Sequence, residues 1–179
     1  MAEFGCKMPC FLADGQNAGI NFGRLVSANL TLTMATGELY ADDALDEGVT
    51  EFISGSIAME TNDITDEHAA IIYGCTVESG EVTYNTEDAA PAGVLGYYKC
   101  LMRNKKKYFK AIVYPCVKAA IGNDNAQTKG SSITFATVST TFTVMSDGNG
   151  VWRKTKTFES EADAIAYIKN ACKIAGAAA

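Results

Sequence analysis

Asp42, Asp43, Asp46 and Glu47 crowd the stretch GELYADDALDEG at residues 37–48, next to Tyr40. Carboxylates at that density suit a hard, oxygen-seeking ion such as calcium. The stretch lacks the alternating D-x-D-x-D-G spacing of helix–loop–helix calcium sites. Three readings therefore stand: a calcium loop of another type, a plain solvated loop, or a loop that docks on a basic partner. A basic counterpart exists in RNKKKYFK, where Arg103, Lys105, Lys106, Lys107 and Lys110 accompany Tyr98, Tyr108 and Phe109. Cations interleaved with aromatics can hold single-stranded nucleic acid. Lysines at a hairpin tip also simply keep it soluble. A third use is pairing with the acidic segment of a neighbouring copy, a heterologous contact that builds rings or stacks.

Other reactive residues are sparse. His68, the only histidine, lies between Glu67 and Ala69 on a short helical stretch. No metal or nucleophile motif surrounds it, so it reads as a helix-surface residue rather than a general base. Cys6 and Cys10 lack the second ligand pair of a structural zinc site. No GxSxG, P-loop, HExxH or GxGxxG pattern occurs, and no acid/base pair is visible. The chain is accordingly not expected to be an enzyme or to need a cofactor or metal. The remaining cysteines, Cys75, Cys100, Cys116 and Cys172, read with Cys6 and Cys10 as free core thiols. The N-terminus lacks a secretory pattern, and thiols that are not exported stay reduced.

The elements that must carry these residues follow from periodicity. Val26, Ala28, Leu30, Leu32 and Met34 alternate with Ser27, Asn29, Thr31 and Thr33, the pattern of a half-buried strand. Ile53, Gly55, Ile57 and Met59 alternate with Ser54, Ser56, Ala58 and Glu60 in the same way. The two runs are expected to pair antiparallel across the acidic loop. Residues 1–23 show no clean period and read as an N-terminal arm or loop. NDITDEHAAIIYG predicts a short middle helix, capped by Asp63 or Thr65 and stopped by Gly74. Residues 75–85 predict a small hairpin around ESGE. Residues 94–118 predict a long hairpin turning at NKKK, with Pro115 at an edge or bulge. Residues 131–145 predict a further long strand with a bend. Ser160, Asp163 and Gly176 bracket a C-terminal helix with Ala164, Ile165, Ile168 and Cys172 as its apolar stripe.

A mainly β fold follows, a β-sandwich or partly closed barrel with a short middle helix and a C-terminal helix, as one domain over residues 24–179. A hydrophobic fraction of 47% over 179 residues supports such a core. A net charge of −6 argues against a protein that grips duplex DNA. No stretch is long and apolar enough for a membrane span. The faces bearing Ser27, Asn29, Thr31, Thr33, Ser54, Ser56 and Ala58 are small, polar and free of Lys and Arg. Solvent faces of soluble sheets ordinarily carry charge to prevent unwanted pairing. A long uncharged face suits strands meant to join other chains and line a smooth surface.

At this point a resemblance enters. GELYADDALDEGVTEFISGSIAMETNDITDEHAAIIYG, then GVLGYYKCLMRNKKKYFKAIVYPCVKA and FATVSTTFTV, resemble the major tail proteins of long-tailed bacteriophages of Gram-positive hosts, the phi13 type, over about residues 19–172. The resemblance implies a tail-tube fold and a structural virion protein. Hexameric rings would stack into a hollow tube through which phage DNA is ejected, the sheets merging into one inner barrel with helices outside. The implied partners are further copies of the chain, the tape-measure, tail-terminator and distal tail proteins, and DNA passing without specific binding. The implied location is the virion tail, assembled in the host bacterial cytoplasm. On this reading Ser27, Asn29, Thr31, Thr33, Ser54, Ser56 and Ala58 face the lumen. Tyr40, Asp42, Asp43, Asp46 and Glu47 dock on the adjacent ring, against Arg103, Lys105, Lys106 and Lys107. The rival is a β-sandwich binding module that grips calcium or a glycan through its acidic loop.

Overall fold

The computed structural model describes residues 2–42, 44–122 and 136–175. Its elements run β1 (Ala2–Ala13), β2 (Ile20–Asn21), β3 (Leu25–Ala41), β4 (Ala44–Thr61), α1 (Asp66–Tyr73), β5 (Thr76–Glu78), β6 (Glu81–Thr83), β7 (Ala92–Arg103), β8 (Lys106–Ile121), β9 (Val138–Met145), β10 (Lys154–Phe158) and α2 (Glu161–Ala171). The fold is mainly β. One large antiparallel sheet runs β2-β1-β7-β8-β9-β4-β3, with β10 also on β8, and β5–β6 form a separate hairpin. The sheet curls on itself. Phe11 on β1 and Phe22, just after β2, each place a ring 5.9 Å from Phe142 on β9. At the seam Cys6 Sγ donates to the Val26 carbonyl at 3.7 Å, without a strand ladder between β1 and β3.

Burial divides the sheet into two halves. In β1, β7 and β8 both faces are covered. Phe11, Leu95, Tyr97, Ile112 and Tyr114 point into the curl, while Cys10, Tyr98 and Ala111 pack beneath Ala164, Ile168 and Cys172 of α2. Their sequences are near-continuous apolar runs for that reason. In β4 and β9 only the inner face is covered, by Ile57, Met59, Phe142 and Val144. Their sequences alternate over Gly55–Thr61 and Ser139–Val144. α1 adds Ala69, Ile72 and Tyr73 to the inner core. Its Thr65 side chain accepts from His68 N, and Gly74, at φ 74°, ends it in the left-handed region, as its sequence predicts.

β8 changes partner along one edge. Cys116 still pairs with Met145 of β9, and Val113 pairs with Lys154 of β10. Pro115, which has no N–H to donate, sits in the gap. Below this point the sheet forks into a β3–β4 tine and a tine of β1, β7, β8 and β10. The segment 146–153 fills the crotch. Trp152 stacks on Phe52 of the first tine, and Arg153 lies 5.8 Å from the Tyr114 ring of the second.

Three expectations are corrected. Residues 2–13 are not an arm but a strand, buried over Pro9–Ala13. Register shifts at Phe4/Cys6 and Lys7/Cys10, with Gly5 and Met8 at positive φ, erase the alternation that would have revealed it. The acidic stretch is not a loop. β3 and β4 pair out to Ala41 and Ala44, so the connection shrinks to residues 42–43, with Asp42 at φ 49°. Finally, Val26 and Ile53 leave the core face and are 52% and 57% exposed, because each is the extra residue of a bulge. The C-terminal helix begins after Ser160 as expected, but the Ser160 side chain makes no capping hydrogen bond, so the expected capping box with Asp163 does not form, and the helix ends at Cys172. Gly176, Asp43 and the expected strand start at 131–135 lie outside the described residues. All six cysteines are free thiols. Burial pushes the Cys172 thiol up to about 12.

Candidate functional site: an assembly surface

The outer face of the half-sheet without a helix is built in registered rows. Asn29, Ala58, Thr141 and Ala120 form one row across β3, β4, β9 and β8. Thr31, Ser56, Thr143 and Lys118 form the next. Asn29, Thr31, Thr33, Ser56 and Ala58 are exposed, whereas Ser27 and Ser54 are half-buried beside the two bulges. The structure thus brings most of the expected polar face together and adds Thr141 and Thr143 of β9. Their signal was the alternation in STTFTV. Charge enters the patch only at its borders, through Lys118 and Glu60.

Beyond this face the β3–β4 tine continues as a bare two-stranded ribbon. Its residues are exposed from Leu32 to Ala41 and from Ala44 to Glu51. Leu39, Tyr40, Leu45 and Val49 are all exposed on it, Tyr40 at 64%. Cross-strand pairing puts Leu39 with Glu47 on one face, while Glu38 and Tyr40, joined by a 2.8 Å hydrogen bond, share the other. The carboxylates are therefore spread over both faces. Among the described residues no three potential ligands converge as a metal site. A two-stranded hairpin alone is marginal in water, so this ribbon needs a cover. Among the described residues no strand pairs with the outer edge of β3, and over Leu25–Ala41 its only charge is Glu38. Natural edges of that length are ordinarily blocked by Lys, Pro or a bulge that turns them away.

The basic residues form a second tip. Asn104 and Lys105, at φ 49° and 62°, make the two-residue turn between β7 and β8. Arg103, Lys105, Lys106 and Lys107 are exposed; Lys106 binds Glu159 at 2.7 Å and lies 5.6 Å from the Tyr108 ring. Both β4 and β8 run antiparallel to β9, so they share a direction. Their first residues, Ala44 and Lys106, therefore lie toward the same end of the sheet. The acidic ribbon and the basic turn therefore lie at one end of the sheet rather than at opposite ends.

α2 is fixed over the other half by a small polar cluster. Tyr98 OH donates to Glu161 Oε1 at 2.6 Å, and Lys7 Nζ reaches the same oxygen at 3.0 Å. The Tyr98 hydroxyl first, then Lys7, hold the Glu161 carboxyl below its usual range. His68 is half-buried on α1, its Nδ1 without a hydrogen-bond partner among the described residues.

No protein-family model matches the chain, and no curated protein does.

Proposed function

We propose that the chain is a tail-tube subunit of the phage major-tail-protein type, one that forms hexameric rings and stacks them into a hollow tube for DNA. The observation that carries this reading is the β3 edge beyond its Cys6–Val26 seam with β1: long, without a paired strand among the described residues, almost uncharged, and continuing into a ribbon with apolar side chains on both faces. An edge of this kind is a template for a strand of another chain. Pairing it around a ring removes the edge, and closure places the Ser/Thr/Asn rows on one continuous wall. Over β3, β4 and β9 such a wall offers DNA no cation, Lys118 of β8 standing at its border, and a net charge of −6 repels a polyanion. α2 covers the other half of the outer sheet face, over Cys10, Tyr98 and Ala111. Covering Leu39, Tyr40, Leu45 and Val49 on a neighbour contributes on the order of 1 kcal/mol per side chain from their exposed area. The mechanism is mechanical: strand pairing closes rings, ribbon docking joins neighbours, and the uncharged wall lets DNA slide. The tape-measure, terminator and distal tail proteins would bound the tube, in a virion tail assembled in the bacterial cytoplasm.

Negative-stain electron microscopy of the purified protein over a salt series tests this. Hollow tubes or rings are expected. A protein that stays monomeric at high concentration and melts higher with calcium would instead be a loop-binding module.

A further inference from the structure

The end of the sheet opposite the two turns has its own character. β4 leaves the sheet there at Thr61, level with Val138, and β7 enters beside Lys118. The intervening residues 62–91 carry Asp63, Asp66, Glu67, Glu78, Glu81 and Glu87, all exposed, and not one Lys or Arg. Among the described residues none of these six has an ion-pair partner. Within this end lies a cleft of about 200 Å³, walled by Asp66, Ala69, Tyr73, Tyr84, Ile121 and Val138. Tyr84 and Ile121 are 54% and 56% exposed. An aromatic ring, an aliphatic wall and a carboxylate at the rim suit a side chain with an apolar stem and a cationic head.

That chemistry is present at the other end of the same chain. Arg103, Lys105 and Lys107 are exposed and make no ion pair among the described residues. They lie about 35 Å from the acidic end along β7, at strand rise per residue. Lys105 also holds a left-handed conformation at φ 62°, where glycine would be less strained.

We propose that the cleft at the acidic end receives the Arg103–Lys107 turn of a second copy, with a cationic side chain seated between Tyr84 and Ile121 and its head at Asp66. The contact rests on the tail-tube reading and specifies its stacking step. It joins unlike ends, so it is heterologous and propagates with one polarity. It also gives the basic turn an acidic partner in the next layer, which the β3–β4 ribbon, at the same end as the turn, does not provide.

Two charge reversals and their mixture test it: Arg103→Glu with Lys105→Glu, and Asp66→Lys with Glu67→Lys. Circular dichroism first confirms that each variant folds. Sedimentation velocity and electron microscopy at low salt then follow assembly. Each variant alone is expected to lose stacking by about tenfold or more in dissociation constant while still forming rings. The first variant's acidic end and the second variant's basic turn are intact, and the two reversed surfaces also complement each other, so mixing the two is expected to restore stacks in which the variants alternate. Assembled wild type with both variants still forming long tubes would overturn this contact and leave the tail-tube reading standing. Wild type monomeric at all salts would overturn both. Loss on Asp66 reversal alone, with the basic-turn variant unaffected, would give the cleft to a different cation and also overturn it.

Discussion

Phe52 and Trp152 lie face to face, with ring centroids 4.6 Å apart and planes 8° from parallel. The pair sits where the sheet forks, between the root of the projecting ribbon and the segment that links β9 to β10. It ties the ribbon to the body just past the last β4–β9 pair, Gly55 with Val144. Trp152→Ala is expected to cost about 1–2 kcal/mol in chemical denaturation, with a coupling to Phe52→Ala near 1 kcal/mol in a double-mutant cycle. Additive single effects would show that the stack does not anchor the ribbon.

The ribbon's apolar residues lie outside the buried core among the described residues, so their replacement separates folding from assembly. Leu39→Lys with Val49→Lys, on one ribbon face, is expected to change monomer stability by less than about 0.5 kcal/mol. The same pair is expected to abolish tubes or rings by electron microscopy. Intact tubes would mean that no neighbour covers this face.

Thr31 and Thr143 share one row of the bare sheet face, with Ser56 between them. Thr31→Arg with Thr143→Arg is expected to leave the melting curve almost unchanged and to create duplex DNA binding that falls steeply with salt. Filter binding at two salt concentrations reads this out. DNA binding already present in wild type would contradict a wall over which DNA slides.

Glu161 joins α2 to the sheet through Tyr98 and Lys7. Its carboxyl is held below the usual range, so its contribution to stability is complete above the ordinary glutamate range and is lost as pH falls through the lowered value. Glu161→Gln is expected to lower the melting temperature at neutral pH, and the gap to wild type is expected to close in acid. Lys7, raised chiefly by its hydrogen bond to Glu161, adds a second window: its share is lost only as pH climbs past the ordinary lysine range. A gap constant from neutral to acid pH would show that Glu161 acts by packing alone.

The hairpins, the α1 cap at Thr65 and the α2 stripe were legible in the chain because each rests on neighbours a few residues apart. The difference between one-sided and two-sided strands is seen once burial is known: STTFTV alternates, whereas GVLGYYKCL and AIVYPCV run apolar on both faces. β1 was hidden because two bulges shift its phase, and a one-residue shift turns every side chain to the other face. The acidic stretch looked like a loop because its strand residues, exposed on both faces, show no burial alternation. The decision on which half of the outer sheet stays bare belongs to the tertiary structure. It depends on where α2 lands, and that is set by contacts with strands remote in sequence, Cys10 and Tyr98 beneath Ile168 and Cys172. The acidic 62–91 segment and the Arg103–Lys107 turn are likewise set apart only after folding, when antiparallel pairing carries one to each end of the sheet.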